Sequence, residues 1–300
     1  MSSLPATERA NEAAVPLDEM STLQMLELIN SEDTRVAAAV RAELPAVARA
    51  VDEVADRLRT GGRLILLGAG TSGRLALMQA AEAPPTFGIP PTTVISVMAG
   101  GPDALTRPIE GAEDDATAGA GQIDRLAVTG QDAVVGISAS GRTPFVLGAL
   151  AEAGAGKALT IGLCCDHPTP ISDAVDIAIH PMVGPEVIAG STRLKAGTAQ
   201  KLVLDMLTTA VMARLGFVHS NLMIGVQGTN AKLRDRARRI VEQVTGRSGA
   251  PVEEALAASG WSARLAIVML ARGVDAAEAR RLIETGRRLA DLIGEEPRDG

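Results

Sequence analysis

Between Gly68 and Arg74 the chain reads GAGTSGR, and between Ser138 and Thr143 it reads SASGRT. Each stretch carries hydroxyl side chains and a Ser-Gly-Arg triplet, Ser72-Gly73-Arg74 in the first and Ser140-Gly141-Arg142 in the second. Each follows an apolar run and precedes a segment of helical periodicity, so each lies where a strand feeds a helix. Free backbone N–H groups at a helix start, joined by Ser and Thr hydroxyls, converge on an anion. Two readings fit: a pair of glycine turns with Ser or Thr caps, or one phosphate site built from both turns. Recurrence of the triplet at two strand ends favours the phosphate site, with Thr71, Ser72, Gly73, Ser140 and Thr143 as candidate residues.

Gly68, Gly70 and Gly73 also match G-x-G-x-x-G, the spacing of a dinucleotide-binding turn. That fold needs an Asp or Glu near the end of the second strand to hold the ribose hydroxyls. Here the second apolar run, TTVISVM, ends in AGGP, and no acid stands between Ala83 and Pro102. A nicotinamide cofactor is therefore not expected. No metal is expected either. Cys164 and Cys165 are the only cysteines and are adjacent, which gives neither a disulfide framework nor ligand spacing. They read as reduced thiols at the end of a buried strand, and the scattered His167, His180 and His219 read as structural.

The elements that must position these turns follow from apolar patterning. Five strand-like runs, RLILLG, TTVISVM, DAVVGIS, KALTIGL and VDIAIH, are continuously apolar. Helix-compatible segments separate them at 74–81, 112–126, 144–153 and around Ile171. That alternation predicts an α/β fold with a doubly wound parallel five-stranded sheet and ligands at the strands' carboxyl ends. Two helices precede it, STLQMLELIN and then TRVAAAVRAELPAVARAVDEVADRLRT, the latter ended by Gly61-Gly62. A long helix, apolar most of the way round, is expected over 191–215, and a small bundle from NAKLRDRARRIVEQVTG onward. The expected organisation is 1–50 for the N-terminal arm and helices, 51–220 for the sheet domain that carries the two turns, and 221–300 for the C-terminal helical region.

Bulk properties narrow the partners. A formal charge of −7 and 1% aromatic residues argue against a nucleic-acid partner, which needs phosphate neutralisation and stacking surfaces. The basic stretch after Asn230 reads as a solvated face with internal acidic partners. The N-terminus lacks an apolar leader and no run approaches about 18 apolar residues, so a cytoplasmic protein with no membrane partner is expected. The 191–215 helix is more apolar than one domain is expected to cover, which predicts a homodimer.

Beyond the two turns, GAGTSGRLA, EAPPTFG, MAGG, EGAEDD, SGRTPFVLGAL, GPEVIAGSTRLKAGTAQKLVLDML and NLMIGVQGTNAKLRDRARRIV occur in order. The chain thereby resembles the N-acetylmuramic acid 6-phosphate etherases, which carry a sugar isomerase domain, from about Leu17 to the C-terminal helices. It departs from the family pattern at Ala83, commonly Cys, and at Ser138, usually Ala; Ser138 adds a hydroxyl to the expected phosphate pocket. The resemblance implies cleavage of the D-lactyl ether of N-acetylmuramic acid 6-phosphate in cell-wall amino-sugar recycling, without cofactor. Its two catalytic glutamates map onto Glu82 and Glu113, with Glu113 as the expected base at C2, Glu82 as acid to lactate, and Glu110 as reserve. Pro84-Pro85 is expected to end the helix just after Glu82. Ser191, Thr192, Arg193 and Lys195 open the long helix, with Ser191 and Lys195 the candidates for the phosphate or the lactyl carboxylate. A sugar-phosphate isomerase would share the turns without an acid at C3, and a non-catalytic phosphosugar sensor akin to the glucokinase regulator would share most of the fold.

Overall fold

The computed structural model describes residues 4–14, 16–284 and 289–294. These form two compact units, Met1–Ala80 with Thr92–Thr208, and Ala81–Pro91 with Thr209–Gly300. Among the described residues, no helix is long and apolar enough to cross a membrane.

The first unit begins with short 3-10 turns and two helices, α1 (Thr22–Ala42) and α2 (Leu44–Arg59). Ser21 opens α1 with a capping box closed by Gln24. The boundary between the two helices differs from the expected one. Nothing between Asn30 and Thr34 stops α1, whereas Pro45 lacks an N–H and is tolerated only in a first turn, so the break falls at Glu43.

The sheet follows as β1 (Leu64–Gly68), β2 (Val94–Met98), β3 (Ala133–Ile137), β4 (Leu159–Leu163) and β5 (Ile177–Ile179). Its order is β2-β1-β3-β4-β5 and every pairing is parallel. Alternate residues explain why both faces are apolar. Ile65, Leu67 and Val134 pack with Phe145, Val146, Ala149 and Leu150. Leu64, Leu66, Val135 and Ile137, which point the other way, are equally buried. The crossovers are α3 (Gly70–Phe87), α4 (Ala116–Arg125), α5 (Pro144–Ala155) and the short α6 (Pro170–Ala174), and α7 (Lys195–Arg214) follows the sheet. The expected helix over 112–126 is split: Ala112–Asp114 is a 3-10 turn, and Asp115 caps α4 by accepting from the Ala118 N–H at 2.8 Å.

Pro84 and Pro85 do not stop α3. Both lie in its last turn, and the helix runs on to Phe87, where the Pro84 carbonyl still accepts from the Gly88 N–H at 2.8 Å. Each proline removes a donor to the carbonyl four residues back, yet the backbone stays helical through Phe87.

The second unit contains a small hairpin, β6 (Val218–His219) and β7 (Leu222–Met223), and the helices α8 (Ala231–Thr245), α9 (Ala250–Ala258), α10 (Ala263–Arg272), α11 (Ala276–Glu284) and α12 (Leu289–Ile293). Asn230 caps α8, and left-handed Gly246 and Gly273 end α8 and α10. Ala237, Ile240, Val252, Leu256, Ala266 and Ile267 form its core. Arg238 of the basic stretch pairs with Glu253 and Asp235, and Arg239 with Asp235. Residues 285–288 of the last expected helical segment lie outside the described residues.

Candidate active site

Strand order reverses between β1 and β3, and in an open parallel sheet a ligand crevice forms at such a point, beyond the strands' carboxyl ends. A cavity of about 370 Å³ lies there, in the first unit. From the end of β1 come Ala69, Gly70, Thr71 and Ser72; from the end of β3 come Ile137, Ser138, Ala139, Ser140, Arg142, Thr143 and Pro144. The two turns singled out by their triplets thus face one space. Their helices, α3 and α5, start at the cavity and leave first-turn N–H groups to face it.

The hydroxyls are not simple caps. Thr143 stands at the N-cap of α5 but makes no capping bond; its Oγ1 lies 2.8 Å from Ser138 Oγ. Ser138 Oγ also accepts from the Gly141 N–H at 3.1 Å, and left-handed Gly141 bends the turn. Ser140 Oγ accepts from the Arg142 N–H at 3.4 Å. Ser72 Oγ donates to Oε1 of the buried Gln200 on α7 at 2.9 Å, which fixes the hydroxyl's direction.

The two triplets diverge at their arginines. Arg142 lines the cavity. Arg74 turns away and donates to the carbonyls of Leu105 and Ala104, at 3.1 and 2.8 Å, bracing the turn Pro102–Leu105. Gly73 does not line the cavity. A Cβ there would lie 2.7 Å from the Gly68 carbonyl oxygen and 2.8 Å from Met98 Cγ, so this glycine serves the close packing of α3 on β1 and β2.

Glu113 sits in the 3-10 turn Ala112–Asp114, exposed. It lines the 370 Å³ cavity and also an adjoining one of about 280 Å³ that includes Arg74, Arg107, Ile109 and Glu110. Glu110 reaches only the second cavity. Glu82 is exposed on α3, in the stretch Ala81–Pro91 of the second unit.

Lys195 is placed differently from expectation. It is 1% exposed, and its Nζ lies 2.5 Å from Glu32 Oε2 on α1. Burial pushes the Glu32 carboxyl up, but Lys195, Arg35 and Asn11 more than offset this and hold it below the usual carboxylate range. The backbone N–H groups of Lys195 and Ala196 donate to the buried Glu186 carboxylate, at 3.0 and 2.9 Å; its own pKa is raised, burial being the main cause. Lys195 is therefore committed to a buried ion pair and does not line the cavity. Ser191 is half-buried and outside the lining, while its neighbours Gly190 and Thr192 line it.

Two contributors escaped the sequence reading. Glu8 of the N-terminal arm lines the cavity, held there by the bond from the Gly190 N–H to the Thr7 carbonyl at 2.9 Å. Gln200 supports Ser72 from a helix 128 residues away in sequence. Neither carries a local signal, because each depends on a long-range contact.

Cys164 and Cys165 are buried just past β4, and burial pushes the Cys164 thiol up to about 12 and that of Cys165 higher still. Both are unreactive thiols. His167 and His180 stack with ring centroids 4.4 Å apart.

A model of the N-terminal SIS domain of glucokinase regulatory protein matches residues 46–154, and the SIS domain model matches residues 117–210. The N-acetylmuramic acid 6-phosphate etherase of Rubrobacter xylanophilus is 53% identical over 283 residues, 93% of each chain. The chain belongs to the N-acetylmuramic acid 6-phosphate etherase family. The etherase of Serratia proteamaculans is 51% identical over 278 residues, 93% of this chain and 94% of its own. A phosphoheptose isomerase structure from Francisella tularensis superposes with a TM-score of 0.51 at 19% identity, covering 65% of this etherase-family chain and 100% of the isomerase, and shares its fold.

Proposed function

We propose that this chain cleaves the D-lactyl ether of N-acetylmuramic acid 6-phosphate, leaving N-acetylglucosamine 6-phosphate and D-lactate. The reading rests above all on family membership across nearly the whole chain. The hydroxyl-lined cavity at the reversal of strand order supports it, since it is suited to a phosphosugar.

In this reading Thr71, Ser72, Ser138, Ser140 and Thr143, with the first-turn N–H groups of α3 and α5, hold the 6-phosphate. Arg142 adds a cation at the cavity wall. The open-chain aldehyde at C1 acidifies the proton on C2. A carboxylate takes that proton, the C3–O bond breaks as a carboxyl group protonates the departing lactate, and water then adds to C3 of the unsaturated aldehyde. Glu82 and Glu113 are the two carboxylates proposed to carry these transfers. The working species is proposed to be a cytoplasmic homodimer serving recovery of cell-wall amino sugars.

Incubation with N-acetylmuramic acid 6-phosphate, followed by assay of free D-lactate, tests the reading. Stoichiometric D-lactate is expected, with Glu113→Gln and Glu82→Gln each slowing release about 100- to 10,000-fold. Unphosphorylated N-acetylmuramic acid should be a far poorer substrate, because phosphate binding orients the reacting carbons. Absence of lactate, or interconversion of sugar phosphates without it, would favour an isomerase or a sensor instead.

A further inference from the structure

The second unit contains a cavity of about 210 Å³ that the proposed reaction does not use. Phe87, Phe217, Ser262, Arg264, Leu265 and Ile283 line it, with Arg280 and Glu284. Arg264, in the first turn of α10, lays its guanidinium over the Phe217 ring, 5.4 Å from the centroid. Its Nε is buried and has no hydrogen-bond partner among the described residues. Burial pulls its pKa below the ordinary arginine value, and no carboxylate among the described residues pulls it back.

Arg57 also has a buried Nε without a partner among the described residues, but its Nη1 is met by Glu53, and Arg63 is satisfied more fully. Asp132 and the carbonyls of Leu126 and Ala127 satisfy it. Leaving the buried Arg264 Nε–H unmet costs free energy that a ligand able to reach it would recover. A guanidinium presents its donors in a rigid fork that matches a planar oxyanion. The lining charges, Arg264 and Arg280 against Glu284, leave one positive charge, which a monoanion matches and a phosphate dianion exceeds. Phe87, Phe217, Leu265 and Ile283 give the cavity an apolar wall, with Ser262 and Gln227 as its uncharged polar members.

We propose that this cavity binds a small monocarboxylate, its carboxylate held by Arg264 and its apolar body packed against Phe87, Leu265 and Ile283. The site is independent of the sugar cavity and does not depend on the etherase reading.

Calorimetric titration of the full chain with butyrate, butyramide and inorganic phosphate tests it, using the wild type and Arg264→Lys. Butyrate should bind the wild type and bind Arg264→Lys about tenfold more weakly or worse, since lysine keeps the charge but loses the fork. Butyramide should not bind, and phosphate should show the same affinity for both proteins. Butyrate binding that is absent or unchanged in Arg264→Lys overturns the proposal, as does butyramide binding equal to butyrate or an Arg264-dependent loss that falls on phosphate. A second measurement needs no variant. Crystals soaked in 3-bromopropanoate should show anomalous bromine density between Phe87 and Ile283, and bromine found only elsewhere contradicts the site.

Discussion

At the scale of single residues, Lys195 and Asp132 separate structural from catalytic charge. Lys195 opens a helix among hydroxyls and another cation, which locally looks like an anion site. Its partner Glu32 lies 163 residues away, so the buried pair was not legible in the sequence. Removing one member of a buried pair typically costs about 3–5 kcal/mol because the other charge is left unmatched. Lys195→Met should therefore unfold at markedly lower urea concentration. A variant of normal stability with a raised KM would show that the lysine binds substrate after all.

Asp132 accepts from the Arg63 N–H, from its Nε and Nη2, and from the Thr129 N–H. Burial pushes its carboxyl up, but these bonds outweigh that and hold the pKa below the ordinary value. A carboxyl depressed by folding adds stability that is fully present above its unfolded pKa of about 4 and is lost as pH falls through the lower folded value. The stability difference between wild type and Asp132→Asn should thus stay constant above about pH 5 and shrink below about pH 4. Urea unfolding across that range checks it, and a difference that widens on acidification would contradict the assignment.

Among the elements, the sheet was the most legible part. All five strands fall inside the apolar runs that announce them, because a parallel sheet covered on both faces needs continuous hydrophobicity. Glycine and hydroxyl signals likewise located the turns after β1 and β3. Helix ends were harder. Pro45 begins α2 inside what reads as one helix, whereas Pro84 and Pro85 fail to end α3, since proline's effect depends on which turn it occupies. The third glycine of the G-x-G-x-x-G spacing has a packing role. Gly73→Ala would press a methyl into the Gly68 carbonyl and Met98, and overpacking of this kind costs about 1–3 kcal/mol. A lowered urea midpoint is expected, and an unchanged one would mean that α3 can move off the sheet freely.

For the whole molecule, sequence patterning did not reveal that Ala81–Pro91 clusters with Thr209–Gly300, because compact units depend on contacts that periodicity does not encode. The apolar residues of α7 are also better covered than their pattern suggests: Ala196, Ala199, Val203, Leu204, Leu207, Val211 and Met212 are buried within one chain. Support for a dimer shifts to exposed apolar side chains, Leu23 and Leu26 on α1, 65% and 58% accessible, with Met78 and Met206. Light scattering at micromolar concentration should return twice the chain mass, and a strictly monomeric mass would refute the dimer.

The central claim, that lactate leaves by elimination and water returns to the same carbon, concerns one bond. Elimination and readdition break C3–O and exchange the C2 proton, whereas hydrolysis at the lactyl carbon leaves C2 untouched and puts solvent oxygen on lactate. Turnover of N-acetylmuramic acid 6-phosphate in deuterated, oxygen-18 water, read by mass spectrometry and NMR, distinguishes the two most directly. The product sugar should carry deuterium at C2 and oxygen-18 at C3, with unlabelled lactate. Oxygen-18 in the lactate, with protium retained at C2, would contradict the mechanism.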